Sequence, residues 1–310
     1  MKQRPIVTLP DDTLVQDVRA PENVELRVWD WHRSPSDFGQ DLPRVQMIVQ
    51  PMFGWPPGVN RLAEFPALRV VQTQSAGVND IRPLVPEGVA LHRLANAHDV
   101  GTSEVALALL LASLRRIDKA VLDAQRSLWE PYDAQALATQ RVLIVGAGNI
   151  GEALRVRIAA FGASITRLAR TARDDEHGHI HGLDELHDLL PHHDVVLVIV
   201  PLSEQTYHLV DDAFLSSMRD GALFMNVARG AIADTSALVS HLQRGRLRAA
   251  LDVVDPEPLP ADHPLWSCPN LIMTPHVGGM VPTARSGAVR VLGEQIAAFA
   301  GGRPLAYPAD

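Results

Sequence analysis

The chain alternates short apolar runs with stretches of helical periodicity, a pattern typical of α/β folds. Short segments rich in apolar residues predict a first series of strands at Ile6–Leu9, Val24–Trp29, Val45–Val49, Leu68–Thr73 and Ala90–Leu94. A second series is predicted at Val142–Val145, Ser164–Leu168, Val195–Val200, Leu223–Asn226, Ala249–Val253 and Leu271–Met273. Because the second series is apolar along nearly its whole length, it favours a parallel sheet covered by helices on both faces.

Helices are predicted between the two series of strands, within the second series and after it. A broad apolar run predicts a largely buried helix from Thr102 to about Ile117, between the two strand series. Further helices are predicted at Ile150–Phe161, Leu183–Leu190, Asp211–Met218, Thr235–Arg244 and Thr283–Ala300. A length of 310 residues suits two domains. We therefore predict one domain at residues 99–280, inserted into a domain made of residues 1–98 and 281–310.

Composition narrows the class of protein. The net charge is −8 and no long basic run occurs, so a nucleic-acid surface is not expected. Cys268 is the single cysteine, which excludes an internal disulfide and fits a reducing compartment. The longest apolar stretch, Val105 to Leu114, is too short to cross a bilayer, and the N-terminus has no signal-peptide core. We expect a soluble, cytoplasmic protein.

A glycine-rich segment follows the first strand of the second series. Gly146, Gly148 and Gly151 form a Gly-x-Gly-x-x-Gly pattern that also contains Asn149 and Ile150, between a strand and a helix. In that context the first glycine makes the turn, the second lets the backbone approach a pyrophosphate, and the third lets helix and strand pack closely. The helix N-terminus offers N–H groups to the phosphates. The segment predicts a dinucleotide site.

Other motifs are spread along the chain. They are Ser75–Asn79, Glu104–Leu107, Val200–Leu202 with Thr206, Asn226–Gly230, Leu251–Val253 leading to Glu257-Pro258, and Thr274–His276. With the glycine turn, they make the chain resemble the D-isomer-specific 2-hydroxyacid dehydrogenases over nearly its whole length. The resemblance implies two Rossmann-like domains with parallel sheets, one flavodoxin-like and one dinucleotide-binding, with the active site in the interdomain cleft. It also implies a homodimer and a catalytic set of Arg229, Glu257 and His276.

Chemistry explains why those three residue types occur together. Reduction of a 2-keto acid needs a hydride at the carbonyl carbon, a proton at its oxygen and an anchor for the carboxylate. Histidine titrates near neutrality, so His276 can donate the proton and take it back in the reverse direction. A carboxylate beside it, assigned to Glu257, favours a protonated imidazole. Arg229 stays charged and has a planar fork that binds a carboxylate.

The choice between NAD and NADP depends on the residues that follow Ser164–Leu168, the second strand of the second series. NAD enzymes with such a turn place Asp or Glu about 20 residues on, where it binds the ribose 2′-hydroxyl. Ala169 occupies the position that is acidic in the NAD-using relatives; Arg170 follows it, and Thr171 offers a further hydrogen bond. We therefore predict NADP(H) in preference to NAD(H).

The resemblance also implies supporting roles. For the cofactor it places Thr102 near the nicotinamide, Pro201 beside the cofactor, Thr206 near the phosphates, Val227 and Ala228 along the ring, and Asp252 at the carboxamide. For the substrate it implies main-chain carboxylate contacts in the loop with Ala76, Gly77 and Val78, where small residues expose N–H groups. Met52, Phe53 and Trp55 follow a strand and make an apolar wall one hypothesis, with ordinary packing as the alternative.

A histidine-rich stretch, from His177 to His193, raises the question of a metal site. No cysteine or well-spaced acidic residue completes a ligand set, so we predict a polar surface loop and no metal. The predicted function is NADPH-dependent reduction of a small 2-keto acid, such as glyoxylate or hydroxypyruvate, to its D-2-hydroxy acid. A reductase for larger aromatic 2-keto acids is an alternative, as is a dinucleotide-sensing binding protein similar to the corepressors that share this fold.

Overall fold

The structure is a computed structural model, and it describes residues 3–51 and 61–309. Contacts divide the chain into two compact units, residues 1–98 with 282–310 and residues 99–281. The strands are β1 (Ile6–Leu9), β2 (Glu25–Val28), β3 (Val45–Val49), β4 (Val70–Gln72), β5 (Ala90–His92), β6 (Arg141–Val145), β7 (Ser164–Leu168), β8 (Arg173–Asp175), β9 (Gly178–His181), β10 (Val195–Val198), β11 (Leu223–Asn226), β12 (Arg248–Leu251) and β13 (Leu271–Met273). The α-helices are α1 (Asp12–Asp17), α2 (Asp99–Arg115), α3 (Ile117–Gln125), α4 (Asn149–Ala159), α5 (Leu186–Leu189), α6 (Asp212–Ser217), α7 (Thr235–Gln243) and α8 (Pro282–Ala300).

The first unit is a parallel sheet in the order β2-β1-β3-β4-β5. Successive side chains of a strand point to opposite faces, so each face has its own core. Val7 of β1 joins one cluster, to which α8 adds Val291 and Leu292. Ile6 joins a second cluster that contains Trp29. Apolar residues from the two ends of the chain, in β1 and α8, therefore pack together on one face of this sheet.

The second unit is built on an eight-stranded sheet in the order β13-β12-β11-β10-β6-β7-β9-β8. All of its pairs are parallel except β8 with β9. Buried clusters lie on both faces, one with Leu143 and Val145 and the other with Val142 and Ile144. The predicted α/β class, with apolar parallel strands covered on both faces, is confirmed.

Two helix predictions differ from the structure. The helix predicted from Thr102 begins three residues earlier, at Asp99, and ends at Arg115 because Arg116 is left-handed, with φ of 54°. The helix α3 then starts at Ile117. The predicted helix at residues 183–190 is instead a 3-10 turn at Leu183–Glu185, the short α5 and a second 3-10 turn.

The prediction of a polar surface loop in the histidine-rich stretch from His177 to His193 is wrong as well. The chain after β7 forms a hairpin, β8 and β9, and β9 pairs in parallel with β7. Apart from Ile180, its strands lack the Val, Ile and Leu that indicated the other strands and consist of charged residues, histidines and a glycine, which is why the hydrophobic pattern missed it.

None of the helices in the described ranges has the length and hydropathy that a membrane span requires.

Candidate active site

The glycine turn connects β6 to α4. Gly146 has φ of 127°, a conformation that side chains disfavour, and its N–H bonds the carbonyl oxygen of Leu168 at 2.8 Å. A side chain at Gly151 would collide with the carbonyl oxygen of Gly146, so helix and strand meet only because the residue is glycine. The chain therefore passes from a buried strand directly into the first turn of a helix.

The turn also leaves room for a ligand. A Cβ atom at Gly148 would have no neighbour within 4 Å, which means open space in front of this residue. Gly148 is the N-cap of α4, a helix of eleven residues, and contributes no side-chain cap to the N–H groups of the first turn. An open backbone cradle at a helix N-terminus fits a dinucleotide pyrophosphate. Gly148, Asn149 and Ile150 are the residues that would hold it.

The end of β7 lies beside this turn. Leu168 is the last residue of β7 and bonds Gly146, so Ala169 follows at the same edge of the sheet. Arg170 and Thr171 are exposed there, and no acidic side chain stands at these three positions. Arg173 was not among the predicted site residues, yet its Nη2 atom lies 3.4 Å from the carbonyl oxygen of Ala147. The structure thus adds a second arginine next to the glycine turn.

The hairpin forms one wall of a cavity at the glycine turn. The lining residues are Ile144, Gly146, Ala147, Gly148, Asn149, Gly151, Glu152, Arg167, Asp175, Glu176, His177 and Ile180. Arg167 is 7% exposed and donates to both carboxylate oxygens of Asp175, at 2.6 and 2.7 Å. The Arg167 guanidinium lowers the pKa of Asp175 well below its usual range. These two residues were missed because their pairing depends on the hairpin.

Two further cofactor predictions fall in the segment after β10. The Thr206 hydroxyl donates to the carbonyl oxygen of Pro201 at 2.6 Å and accepts from the Ser203 N–H at 2.8 Å. Pro201 and Thr206 are therefore brought together in one exposed turn.

Arg229 follows the carboxyl end of β11 in a turn that Asn226 stiffens. The Asn226 amide donates to the carbonyl oxygen of Arg229 at 2.9 Å and accepts from the Ala228 N–H at 3.0 Å. Val227 and Ala228 are 4% and 5% exposed. A side chain at Gly230 would collide with the backbone of residue 254, so this turn packs closely against the loop that follows β12.

Glu257 and His276 are in direct contact. The His276 Nδ1 atom lies 2.8 Å from Oε2 of Glu257, and Oε1 of Glu257 accepts from the Val254 N–H at 2.9 Å. The side chain of His276 is 37% exposed and that of Glu257 is 36% exposed. Within the described ranges, Nε2 of His276 has no hydrogen bond, so this second ring nitrogen is available to a ligand. A carboxylate on one nitrogen and access at the other is the geometry of a proton donor and acceptor.

Opposing effects act on the carboxylate. Burial alone would raise the pKa of Glu257, but the hydrogen bonds from His276 and Val254 and the charge of Arg229 outweigh it, and the pKa is lowered. Glu257 is therefore ionised at neutral pH, and Arg229 is close enough to contribute to that state.

Asp252 fixes the loop that carries His276. It is 2% exposed, and its carboxylate accepts from the Thr274 hydroxyl at 2.6 Å and from the N–H groups of Val277 and Gly278 at 3.0 Å. Its carbonyl oxygen accepts from the His276 N–H at 2.8 Å. Sequence reasoning assigned Asp252 only to the cofactor and missed this structural role.

The start of α2 packs against the same loop. A Cβ atom at Gly278 would lie 3.3 Å from Cα of Thr102, and Thr102 is 8% exposed. Thr102, which the resemblance places near the nicotinamide, therefore lies beside the His276 loop. Its contact with a cofactor stays a prediction.

The predicted substrate loop belongs to the first unit. The Ser75 hydroxyl donates to the carbonyl oxygen of Gly77 at 2.6 Å, which shapes the loop around the exposed Ala76. Among the described residues, the N–H groups of Gly77 and Val78 have no acceptor, as an anion-binding loop requires. The predicted wall residues Met52, Phe53 and Trp55 lie outside the described residues.

Comparison with known families identifies the second unit. Residues 107–278 match the family model described as D-isomer specific 2-hydroxyacid dehydrogenase, NAD binding domain. A glyoxylate reductase of Pyrococcus horikoshii is 31% identical over 250 residues, which cover 76% of this chain and 74% of the relative.

Solved structures are similar over the whole chain. A D-isomer specific 2-hydroxyacid dehydrogenase from Xanthobacter autotrophicus, in complex with NADPH, has a TM-score of 0.82 at 26% identity, covering 99% of this chain and 98% of that one. An NADPH-dependent glyoxylate/hydroxypyruvate reductase from Sinorhizobium meliloti, in complex with NADP and malonate, has a TM-score of 0.81 at 25% identity. The match covers 99% of this chain and 97% of that one.

The Glu257–His276 contact gives a prediction about titration. His276→Gln removes a charged donor while the burial of the carboxyl group remains, so we expect the pKa of Glu257 to rise. The carboxyl ¹³C shift of Glu257, followed by NMR as a function of pH in glutamate-labelled protein, measures it. His187→Gln, a change at an exposed histidine elsewhere, serves as the control and should leave the titration unchanged. An identical Glu257 titration in wild type and His276→Gln would contradict the contact.

Proposed function

Because the chain belongs to the D-isomer specific 2-hydroxyacid dehydrogenase family, we propose that it reduces a small 2-keto acid to the D-2-hydroxy acid with NADPH. The observation that carries this proposal is the 2.8 Å contact between His276 and Glu257, with Nε2 of the imidazole available. Glyoxylate and hydroxypyruvate are the proposed substrates, since relatives are named for them. The reaction joins a proton and a hydride to one carbonyl group.

Each residue of the set has one role in this proposal. His276 donates the Nε2 proton to the carbonyl oxygen as that oxygen gains charge, and Glu257 stabilises the imidazolium that precedes the transfer. Arg229 binds the substrate carboxylate through its two parallel N–H groups and holds the carbonyl toward His276. When bound, the reduced nicotinamide supplies the hydride to the carbonyl carbon. In the oxidation direction His276 takes the proton back.

The preference for NADP(H) has its own support. No carboxylate stands at residues 169–171, where one would repel a 2′-phosphate, and Arg170 and Arg173 bring two cations to the edge beside the glycine turn. Asp175 lines the cavity, but Arg167 pairs with it. Two structural relatives were solved with NADPH or NADP. We propose that Arg170, Arg173 and Thr171 bind the 2′-phosphate.

A second copy of the chain is the proposed partner. The helix α3 exposes Ile117, Val121 and Leu122 by 48%, 52% and 50%, and Trp129 beyond it is 94% exposed. Apolar groups so close together on a surface indicate an interface. The family resemblance, which implies a homodimer, supports a second copy as the occupant.

The catalytic roles are tested by variants assayed with NADPH and a panel of 2-keto acids. His276→Gln should lower kcat by about 100- to 10,000-fold, as expected for loss of a general acid. Arg229→Gln should lower kcat and should also raise KM for the keto acid, because the proposed carboxylate contact is lost. NADPH binding, measured by fluorescence titration, should be retained in both variants, and His187→Gln should behave as wild type. Full turnover by His276→Gln would refute the assignment. A wild-type chain that binds NADPH yet reduces no 2-keto acid would favour the corepressor-like alternative.

Cofactor preference is tested by kcat/KM with NADPH and NADH in parallel. Loss of one hydrogen bond to a charged group costs about 1.5–3 kcal/mol, or about 10- to 150-fold in affinity, so Arg170→Ala should lower kcat/KM for NADPH by that factor and leave NADH unchanged. The pair of changes Ala169→Asp and Arg170→Ala should reverse the preference. Arg244→Ala, at an exposed arginine after α7, is the matched control. A wild-type preference for NADH would overturn the proposal.

The dimer is tested by sedimentation velocity. Wild type should sediment as a dimer, and Val121→Glu or Trp129→Ser should shift it toward the monomer because the change puts a polar group into a buried apolar contact. Trp266→Ser, at another exposed tryptophan, should have no effect. A monomeric wild type at micromolar concentration would contradict the interface.

A further inference from the structure

The histidine-rich hairpin and the turn after it bring two histidines and a glutamate together. His179 and His181 lie two residues apart on β9 and therefore project from the same face of the sheet. Glu185, in the 3-10 turn at Leu183–Glu185, reaches back to them. We propose that His179, His181 and Glu185 form a binding site for a divalent transition-metal ion such as Zn²⁺.

The distances suit such a site. One ligand atom from each of the three residues lies within 4.8 Å of the others, and the two imidazole rings are 4.7 Å apart between centroids, edge to face. A tetrahedral Zn²⁺ with bonds of about 2.1 Å separates its ligand atoms by about 3.4 Å. The largest separation exceeds this spacing by at most about 1.4 Å, so binding an ion requires a side-chain movement of that order.

Hydrogen bonds already orient the proposed ligands. The Glu185 Oε1 atom accepts from the Gly182 N–H at 2.9 Å, and Oε2 lies 2.7 Å from Nδ1 of His181. Asp174 of β8 holds Nδ1 of His179 at 2.8 Å. A carboxylate on one imidazole nitrogen, which leaves the other for the metal, is the usual arrangement around zinc ligands. Asp174 is therefore a positioning residue, and the metal replaces the contact between His181 and Glu185.

Charge and exposure also favour a cation. Glu185 contributes a carboxyl group, the acidic member of the proposed ligand set, beside the two imidazoles. The side chains of His179, His181 and Glu185 are 47%, 27% and 40% exposed, which allows entry of an ion and a water molecule as fourth ligand. Two imidazoles and one carboxylate suit Zn²⁺, Co²⁺ or Ni²⁺ better than Ca²⁺ or Mg²⁺.

The proposed site departs from the sequence-based expectation of no metal. That expectation relied on the lack of a well-spaced acidic partner, but the hairpin and the following turn supply both Asp174 and Glu185. A metal held by β9 and the turn after it would fasten this corner of the sheet. Because β9 also contributes Ile180 to the cavity at the glycine turn, the proposed ion lies on an element that lines the dinucleotide site.

The test is titration of the untagged, metal-free full-length chain with Zn²⁺ alone, by isothermal titration calorimetry. One ion should bind per chain, and Zn²⁺ should raise the melting temperature, since a ligand that binds only the folded state stabilises it. His181→Asn and Glu185→Gln should each weaken binding by about tenfold or more, a loss of the size that even indirect ligand supports produce. Co²⁺ should give the visible absorption of a tetrahedral complex in wild type and not in His181→Asn.

His187→Asn is the matched control, because His187 is exposed in the same segment and is not one of the three proposed ligands. It should bind Zn²⁺ as wild type does, and all variants should keep a cooperative unfolding transition without metal, which shows that they are folded. The proposal is overturned if no Zn²⁺ binds, if binding survives His181→Asn, or if His187→Asn weakens it equally. These outcomes are independent of whether the chain reduces 2-keto acids.

Discussion

The buried carboxylate of Asp252 is the interaction on which the candidate active site depends. It is nearly inaccessible and satisfies three donors in the residues that surround His276. Hydrogen bonds to a charged group contribute about 1.5–3 kcal/mol each, and a buried charge without such donors is strongly unfavourable. These hydrogen bonds stabilise the loop in a conformation in which His276 has a positive φ of 53°, a region that residues other than glycine adopt uncommonly.

Strand order explains how residues distant in sequence reach this place. The strands β11, β12 and β13 are neighbours and parallel, so the segments that leave their carboxyl ends emerge at one edge of the sheet. Arg229 follows β11, Glu257 lies beyond β12, and His276 follows β13. Open α/β sheets bind ligands at this edge because the strand ends converge there. The chemistry of the set is thus a consequence of topology, and the missing side chain of Gly230 permits the close approach of the first two segments.

The sequence was most informative where burial on both faces of a strand leaves a continuous apolar run. The strands β6, β10 and β11 are fully buried on both faces except at Arg141, so their apolar runs indicated them directly. The motif residues around Gly146 and His276 were recognisable because close backbone approach and proton transfer each allow few residue types. The hairpin β8–β9 left no such pattern, since Arg167 and Asp175 hold it by a contact between strands. The break at Arg116 was equally invisible, because a left-handed residue changes the backbone without changing hydrophobicity.

The same hairpin has a consequence for the edge of the sheet. β8 is the last strand on its side, and its residues Arg173, Asp174 and Asp175 are all charged and exposed. An unpaired strand offers main-chain groups to any other extended chain, and charges on a very short strand discourage that pairing. β8 therefore works against edge-to-edge polymerisation of the large sheet, which a longer apolar strand at this position would invite.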